Sequence, residues 1–205
     1  MYTLTQLQLL KIWKKNPFAI YSISQIMQLT QKKTKPWVFI TLKDFVKKKI
    51  LNTQRTSHID LYSLNLANPL SFQLLHSLEV QDNLNFHKLD IISQIVQISP
   101  VKNFTLLVFG SYAQNKQTPK SDLDLCFIID NKETEKKMKP YIEDVKLNTS
   151  ITLDEHYITC DEFTEMLKRD EENIGKQIFR KHKIFYNPDT YYQILQIAYK
   201  HGFRP

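Results

Sequence analysis

Two aspartates separated by a single residue are the most suggestive chemical feature of this chain. Asp122 and Asp124 lie in the run 121–125, and the apolar segment 126–129 follows directly. Residues i and i+2 of a β-strand share one face, so the spacing predicts two carboxylates side by side. Carboxylates about 7 Å apart repel each other and lose solvation, and a cation such as Mg²⁺ or Mn²⁺, bridging to substrate phosphates, relieves both penalties. The alternative is an exposed strand end whose aspartates face water.

A third carboxylate is expected from the strand-like run at residues 151–158. Asp154 and Glu155 point to opposite faces there, so only one of them can join the acids of the earlier strand. The expected strand boundaries favour Asp154 over Glu155. Three carboxylates suit two metal ions, one activating an attacking oxygen while the other stabilises a leaving pyrophosphate.

A glycine-serine pair precedes these acids. The chain has only three glycines, and Gly110 follows the β-prone run 104–109 directly, with Ser111 behind it. A glycine lets the backbone approach a ligand closely, and free N–H groups at the start of a following helix favour an anion. The alternative is a tight turn without a ligand, and the pair gains meaning only from the acids ten residues further on.

An α+β fold is needed to position these residues. Apolar runs predict three strands, at 104–109, 123–129 and 151–158, with a helix at about 133–148 between the last two. The remaining elements expected after residue 66 are helices at about 70–79, 83–98, 161–168 and 171–181, a strand at 183–186 and a helix from 189.

Phe109-Gly110-Ser111 followed by Ser121-Asp122-Leu123-Asp124-Leu125 resembles the signature of the polymerase β-like nucleotidyltransferase superfamily. The closer form, Gly-Ser-Tyr-Ala followed by Ser-Asp-Leu-Asp-Leu, is similar to the minimal nucleotidyltransferases of prokaryotes. The resemblance implies a mixed sheet flanked by helices. It implies that Gly110 and Ser111 hold a nucleoside triphosphate. By the same resemblance, Asp122 and Asp124 bind two Mg²⁺ (or Mn²⁺) ions, and Asp154 completes the metal site and assists the attacking hydroxyl.

The implied activity is transfer of a nucleoside monophosphate, AMP from ATP, to a hydroxyl acceptor. The resemblance favours an acceptor on a protein, because minimal nucleotidyltransferases often act as antitoxins that adenylylate a HEPN-type partner. The alternatives are a nucleic-acid end, a small molecule such as an aminoglycoside, or a non-catalytic DNA-binding regulator. One departure from the family concerns charge: Gln114 and Asn115 stand where many members carry a basic residue, and Lys116 or Lys120 are the nearby substitutes.

The first third of the chain differs in charge from the rest. Residues 1–66 carry eleven Lys/Arg against two acids, a net of +9, whereas residues 67–205 have a net of −2. Three expected helices followed by a hairpin resemble a winged helix-turn-helix domain, with helix 34–48 in the recognition position. Lys43, Lys47 and Arg55, the last in the hairpin turn, are then the candidates for nucleic-acid phosphates. Such domains also dock proteins, and a Lys-rich solvated surface is the plain alternative.

Composition sets the remaining expectations. The domains are expected at residues 1–66 and 67–205, and no stretch approaches the roughly 20 apolar residues that cross a bilayer. Two lone cysteines and the absence of a signal-like N-terminus favour a cytoplasmic location. The six histidines show no metal-ligand spacing, and the protein is compatible with an oligomer.

Overall fold

A computed structural model describes residues 2–205 and places them in two units. The first unit ends at Leu78 and the second spans Glu79–Arg204, so the division falls within helix α5 (Pro69–Asn83). Among the described residues, no helix combines the length and the apolar character that a membrane span requires.

The first unit places helices before and around a small antiparallel sheet with strand order β1-β3-β2. Its elements are α1 (Leu4–Leu7), a 3₁₀ turn (Gln8–Leu10), α2 (Lys11–Lys15), β1 (Ile20–Ser22), α3 (Ile23–Thr30), α4 (Lys35–Lys47), β2 (Leu51–Thr56) and β3 (Ile59–Leu64). Ser22 caps α3 as its position predicts, because its side chain accepts a hydrogen bond from the Gln25 N–H.

The packing of α4 follows its sequence pattern. Val38, Leu42 and Phe45 recur at i, i+4 and i+7 and are fully buried, which confirms the predicted stripe. The hairpin differs from expectation in one respect, since Arg55 lies within β2 opposite Asp60 and the turn is formed by residues 57–58. The winged helix-turn-helix assignment of this unit stays a prediction.

The second unit is built around a mixed four-stranded sheet with strand order β6-β5-β4-β7. Its elements after α5 are α6 (Leu89–Ile98), β4 (Phe104–Val108), α7 (Gly110–Ala113), β5 (Leu123–Ile129), α8 (Lys132–Leu147), β6 (Leu153–Thr159), α9 (Cys160–Lys168), α10 (Ile174–Arg180), β7 (Lys183–Tyr186) and α11 (Pro188–Lys200). β5 and β6 run parallel and the other pairs antiparallel, so the expected mixed sheet with helices is confirmed.

Both faces of this sheet are covered, which explains why its central strands are apolar throughout. Helices α6 and α8 pack on the face that carries Leu123, Leu125 and Phe127. Helices α9 and α11 contact the other face, where Cys126 is fully buried. Asp124 lies in this second row, one position before Cys126 along the face. The strand therefore brings one acid to the end of an apolar layer.

Phe127 is the residue whose truncation tests this packing. It is fully buried, and its ring stacks on Tyr157 at a centroid distance of 5.0 Å and contacts Phe104 at 5.9 Å. Phe127→Ala should lower the free energy of unfolding by about 3–5 kcal/mol, because it loses buried apolar surface and leaves a cavity. Urea unfolding followed by far-UV circular dichroism measures the change. The matched control is Leu147→Ala at a side chain that is 84% exposed, and equal losses in both variants would contradict the described core.

Candidate active site

Asp124 and Asp154 lie side by side across two parallel strands. The register of β5 and β6 pairs Asp124 with Asp154, and it pairs Leu123 with Leu153 one position earlier. Register partners in neighbouring strands share a face, so the two carboxylates point to the same side of the sheet. Asp124 is half-buried and Asp154 is exposed. One acid therefore belongs to the edge of the core, while the other faces solvent beside it.

Gly110 closes over the carboxylate of Asp124. Its φ of +65° lies in the left-handed region, and a Cβ built there would overlap the carboxylate and lie 2.7 Å from its Cγ. The Phe109 N–H donates to the Asp124 carbonyl oxygen at 3.1 Å, which ties the turn after β4 to the start of β5. A residue with a side chain at position 110 would displace the acid.

The electrostatics of Asp124 reflect this enclosure. Burial raises the pKa of its carboxyl above the ordinary value, and the negative charge of Asp154 raises it further. His156 acts in the opposite direction, and Asp122 adds a smaller repulsion. The folded chain thus holds an ionised Asp124 at a cost that a nearby cation reduces.

His156 belongs to the same cluster. Its Nε2 lies 3.3 Å from an Asp154 carboxylate oxygen, and its ring contacts Phe109 edge-on at a centroid distance of 5.4 Å. His156 follows Asp154 by two positions on β6, and strand periodicity therefore puts both on one face. The two-residue spacing from Asp154 is the feature of the sequence that indicates a place for His156 at this site, since the histidines show no metal-ligand spacing.

Glu155 has a different partner on the opposite face. Its side chain is mostly buried, and it accepts a hydrogen bond of 2.6 Å from the Lys146 ammonium of α8. Burial tends to lower the pKa of Lys146, but hydrogen bonds to Glu143 and Glu155 outweigh it and raise the pKa. Glu155 is thus turned away from Asp124 and held by a salt bridge.

Asp122 lies just outside the ladder. β5 begins at Leu123, and Asp122 is exposed before it. A turn precedes it, in which the Thr118 N–H donates to Ser121 Oγ at 2.9 Å and the Ser121 N–H donates to the Thr118 carbonyl at 3.0 Å. Within residues 2–205, no group of three or more His, Cys, Asp or Glu side chains is assembled in a metal-holding arrangement. Of the three acids expected to form one nest, Asp124 and Asp154 are paired across the strands, and Asp122 lies two positions before Asp124, outside the ladder.

Gly110 and Ser111 open α7 beside a cleft. The cleft has a volume of about 280 Å³, and its lining residues come from the turn after β4 and from the end of α10: Phe109, Gly110, Gln114, Gln177, Arg180 and Lys181. Lys116 and Lys120, the substitutes expected from sequence for the missing basic residue, are exposed and do not line it. The cations at the cleft are Arg180 and Lys181, which sequence reasoning missed because they lie far along the chain.

The candidate nucleic-acid contacts lie in the first unit. Lys43 and Lys47 are exposed on α4, and the Lys43 ammonium lies 4.5 Å from the Phe39 ring centroid. Arg55 is exposed on β2 and opposes Asp60 across the hairpin. The three cations thus come from two neighbouring elements of one positively charged unit.

Comparison with known proteins finds a family match within the second unit. Residues 89–178 match the family described as a nucleotidyltransferase domain. No curated protein matches the chain significantly. One solved structure, described as the crystal structure of the toxin-antitoxin with AMP-PNP, has 17% sequence identity over 55% of this chain and 86% of that chain, with a TM-score of 0.32. A likeness this distant supports no statement about the ligand or partner of this chain.

The matched segment contains the whole cluster described above. It begins with α6 and includes Gly110, Ser111, Asp122, Asp124 and Asp154, and it ends within α10. The expected recognition is confirmed over this segment. The chain therefore carries a nucleotidyltransferase domain, and the family to which that domain belongs is one of nucleotidyltransferase enzymes.

Proposed function

We propose that this chain transfers a nucleoside monophosphate, AMP from ATP, to a hydroxyl group and releases pyrophosphate. The observation that carries the proposal is the pairing of Asp124 with Asp154 on parallel strands, at the turn where Gly110 makes room for the Asp124 carboxylate. The domain match over residues 89–178 supports this reaction class.

Divalent metal ions fit the chemistry of these acids. Carboxylate oxygens are preferred ligands of Mg²⁺ and Mn²⁺, and a cation would offset the burial and repulsion that raise the pKa of Asp124. In the proposal, Asp122, Asp124 and Asp154 would hold two such ions, with Asp122 contributing from its exposed position before β5. The ions supply activation of the attacking oxygen and neutralisation of charge on the leaving pyrophosphate.

The residues of the chain position the reactants. Asp154 accepts the proton of the acceptor hydroxyl, and His156, 3.3 Å away, orients that carboxylate. A bond forms between the hydroxyl oxygen and the α-phosphorus. The bond from the α-phosphorus to the α,β-bridging oxygen breaks, and pyrophosphate leaves with the electron pair. Gly110 and Ser111 hold the triphosphate at the start of α7.

The acceptor in this proposal is a hydroxyl on a protein partner of HEPN type. Its support is the resemblance of Gly-Ser-Tyr-Ala and Ser-Asp-Leu-Asp-Leu to the minimal nucleotidyltransferases, many of which modify such partners. A nucleic-acid end and a small hydroxylated molecule are the other acceptors that a transfer assay distinguishes, since each yields a labelled product of different size.

Asp124→Asn should abolish the activity without loss of the fold. The change removes a proposed metal ligand, so transfer of radiolabelled α-phosphate from ATP should fall by about a hundredfold or more. The assay supplies Mg²⁺ and, in separate reactions, co-purified protein, RNA and an aminoglycoside. Glu155→Gln is the matched control, because Glu155 contacts Lys146 on the other face and transfer should persist. No transfer to any acceptor by the wild-type protein would refute the proposal.

Asp124→Asn should also raise the melting temperature of the metal-free protein at about pH 7. The pKa of Asp124 in the folded state exceeds its ordinary value of 3.8, so wild-type stability falls as the pH rises from 3.8 through the folded pKa. The advantage of the variant should shrink as the pH falls toward 3.8, where the wild-type carboxyl is increasingly protonated in both states. Thermal melts across this pH range measure the difference. A variant less stable than wild type at neutral pH would contradict the destabilisation that we assign to the ionised Asp124 carboxylate.

A second candidate function is favoured by the charge of the first unit. Lys43, Lys47 and Arg55 are exposed, and this part of the chain has a net charge of +9 over residues 1–66. Clustered cations bind nucleic acid by releasing phosphate counterions. In this candidate the chain is a DNA-binding regulator, and the second unit senses nucleotide.

Replacement of Lys43, Lys47 and Arg55 by Gln tests that candidate. Affinity for duplex DNA should fall, and the slope of log affinity against log salt should become shallower by about 0.9 for each phosphate that the protein no longer neutralises. Fluorescence anisotropy over a salt series provides the measurement. A second triple replacement, of Lys15, Lys32 and Lys33, removes equal charge from other positions of the unit and should have a smaller effect. Equal effects would assign the binding to net charge alone, and the candidate would fail.

A further inference from the structure

The cleft beside Gly110 brings together two segments that are far apart in sequence. Phe109, Gly110 and Gln114 form one side, and Gln177, Arg180 and Lys181 form the other. Phe109 and Gly110 also contact the acidic cluster, because the Phe109 ring lies against His156 and Gly110 abuts Asp124. The cleft therefore begins where the acidic cluster ends.

Lys181 is the cation that contacts the opposite side of the cleft, at Gln114. Its ammonium donates to the Gln114 side-chain oxygen at 3.1 Å, across 67 positions of sequence. Gln114 is a neutral acceptor, and no carboxylate in the described part of the chain forms an ion pair with Lys181. The exposed ammonium is thus held at the cleft by one hydrogen bond, and its charge has no carboxylate partner among the described residues.

Arg180 has its charge compensated. Both of its terminal nitrogens donate to the Glu172 carboxylate, at 2.8 and 2.7 Å. A bidentate pair of this kind uses the donors that an arginine would offer to a phosphate. Of the two cations at the cleft, Lys181 is the one available to an anion.

We propose that Lys181 binds the β- and γ-phosphates of the nucleotide substrate in this cleft, and supplies the positive charge that Gln114 and Asn115 do not. The proposal rests on the proposed function, since it assumes a triphosphate whose α-phosphate lies at the acids. Lys181 lies beyond residues 89–178, so the domain match does not include it. The ammonium releases Gln114 and donates to the phosphate oxygens, which carry a full negative charge where Gln114 offers only a dipole.

The position of Lys181 suits a role in binding the pyrophosphate that leaves. The reaction breaks the bond between the α-phosphorus and the bridging oxygen, and the electron pair departs with pyrophosphate. Gly110 abuts Asp124 and also lines the cleft, and a cation in that cleft stabilises the departing charge. Lys181 should therefore affect binding of triphosphates and of pyrophosphate, and it should have little effect on nucleotides that carry a single phosphate.

Isothermal titration of the full chain with α,β-methylene ATP and with AMP, each with Mg²⁺, tests the assignment. Lys181→Gln should weaken the affinity for α,β-methylene ATP about tenfold, the loss of one charge-assisted hydrogen bond, and should leave that for AMP within about twofold. Lys181→Arg should restore most of the affinity. The matched control is Lys176→Gln on the preceding helix, whose ammonium contacts the Asp170 carbonyl outside the cleft and whose loss should have no effect.

The possible results distinguish a wrong role for Lys181 from a wrong function. If wild type binds α,β-methylene ATP and Lys181→Gln binds it equally well, the role of Lys181 is wrong and the proposed function stands. If Lys181→Gln weakens both nucleotides equally, Lys181 shapes the turn at Gln114 and does not contact the distal phosphates, which also overturns the assignment. If wild type binds neither nucleotide, the proposed function itself fails. Thermal melts show whether the variants are folded.

Discussion

The constraint on which the second unit depends is the placement of a carboxylate at the end of an apolar layer. Asp124 lies in the row that continues to Cys126 and Ile128, both fully buried, and Gly110 closes over it from the preceding strand turn. A buried acid destabilises a fold unless its charge is compensated. The burial here is partial, and its open side faces Asp154. The arrangement is costly for the isolated chain and suited to a bound cation.

Because β6 pairs in parallel with β5, successive residues of β6 alternate between the face of the candidate site and the face packed against α8. Asp154 and His156 point to the face of Asp124, whereas Glu155 points to α8 and is held by Lys146. Two adjacent acids of similar chemistry thereby acquire different partners. Helix α8, which connects the two parallel strands, also supplies the lysine that holds Glu155. The crossover therefore contributes both to the topology and to the orientation of the neighbouring acids.

Sequence reasoning located the elements with strong local patterns and missed those that depend on distant contacts. β5 begins and ends where its apolar run predicts, because burial on both faces demands continuous apolar residues. β1 escaped notice, since three residues with an exposed Ile20 give no periodic signal. β6 starts two residues later than its apolar run suggested. Strand periodicity showed that only one of Asp154 and Glu155 could share the face of Asp124, and the register of β5 and β6 places Asp154 there.

The composition of the cleft could not be predicted from the sequence. Lys181 is one of 28 Lys and Arg residues, and nothing local to it indicates that the fold brings it to Gln114. A triphosphate makes two opposite demands on a site: metal-binding acids near the α-phosphate, and positive charge near the phosphates that leave. If one set of side chains met both demands, the acids and the cation would pair with each other. Gly110 lies between Asp124 and the cleft, and the chain reaches the other side only after about 70 further residues, which keeps the two charges on different elements. Because Gly110 has no side chain and lies between them, the acids and the Lys181 ammonium stay close without pairing with each other.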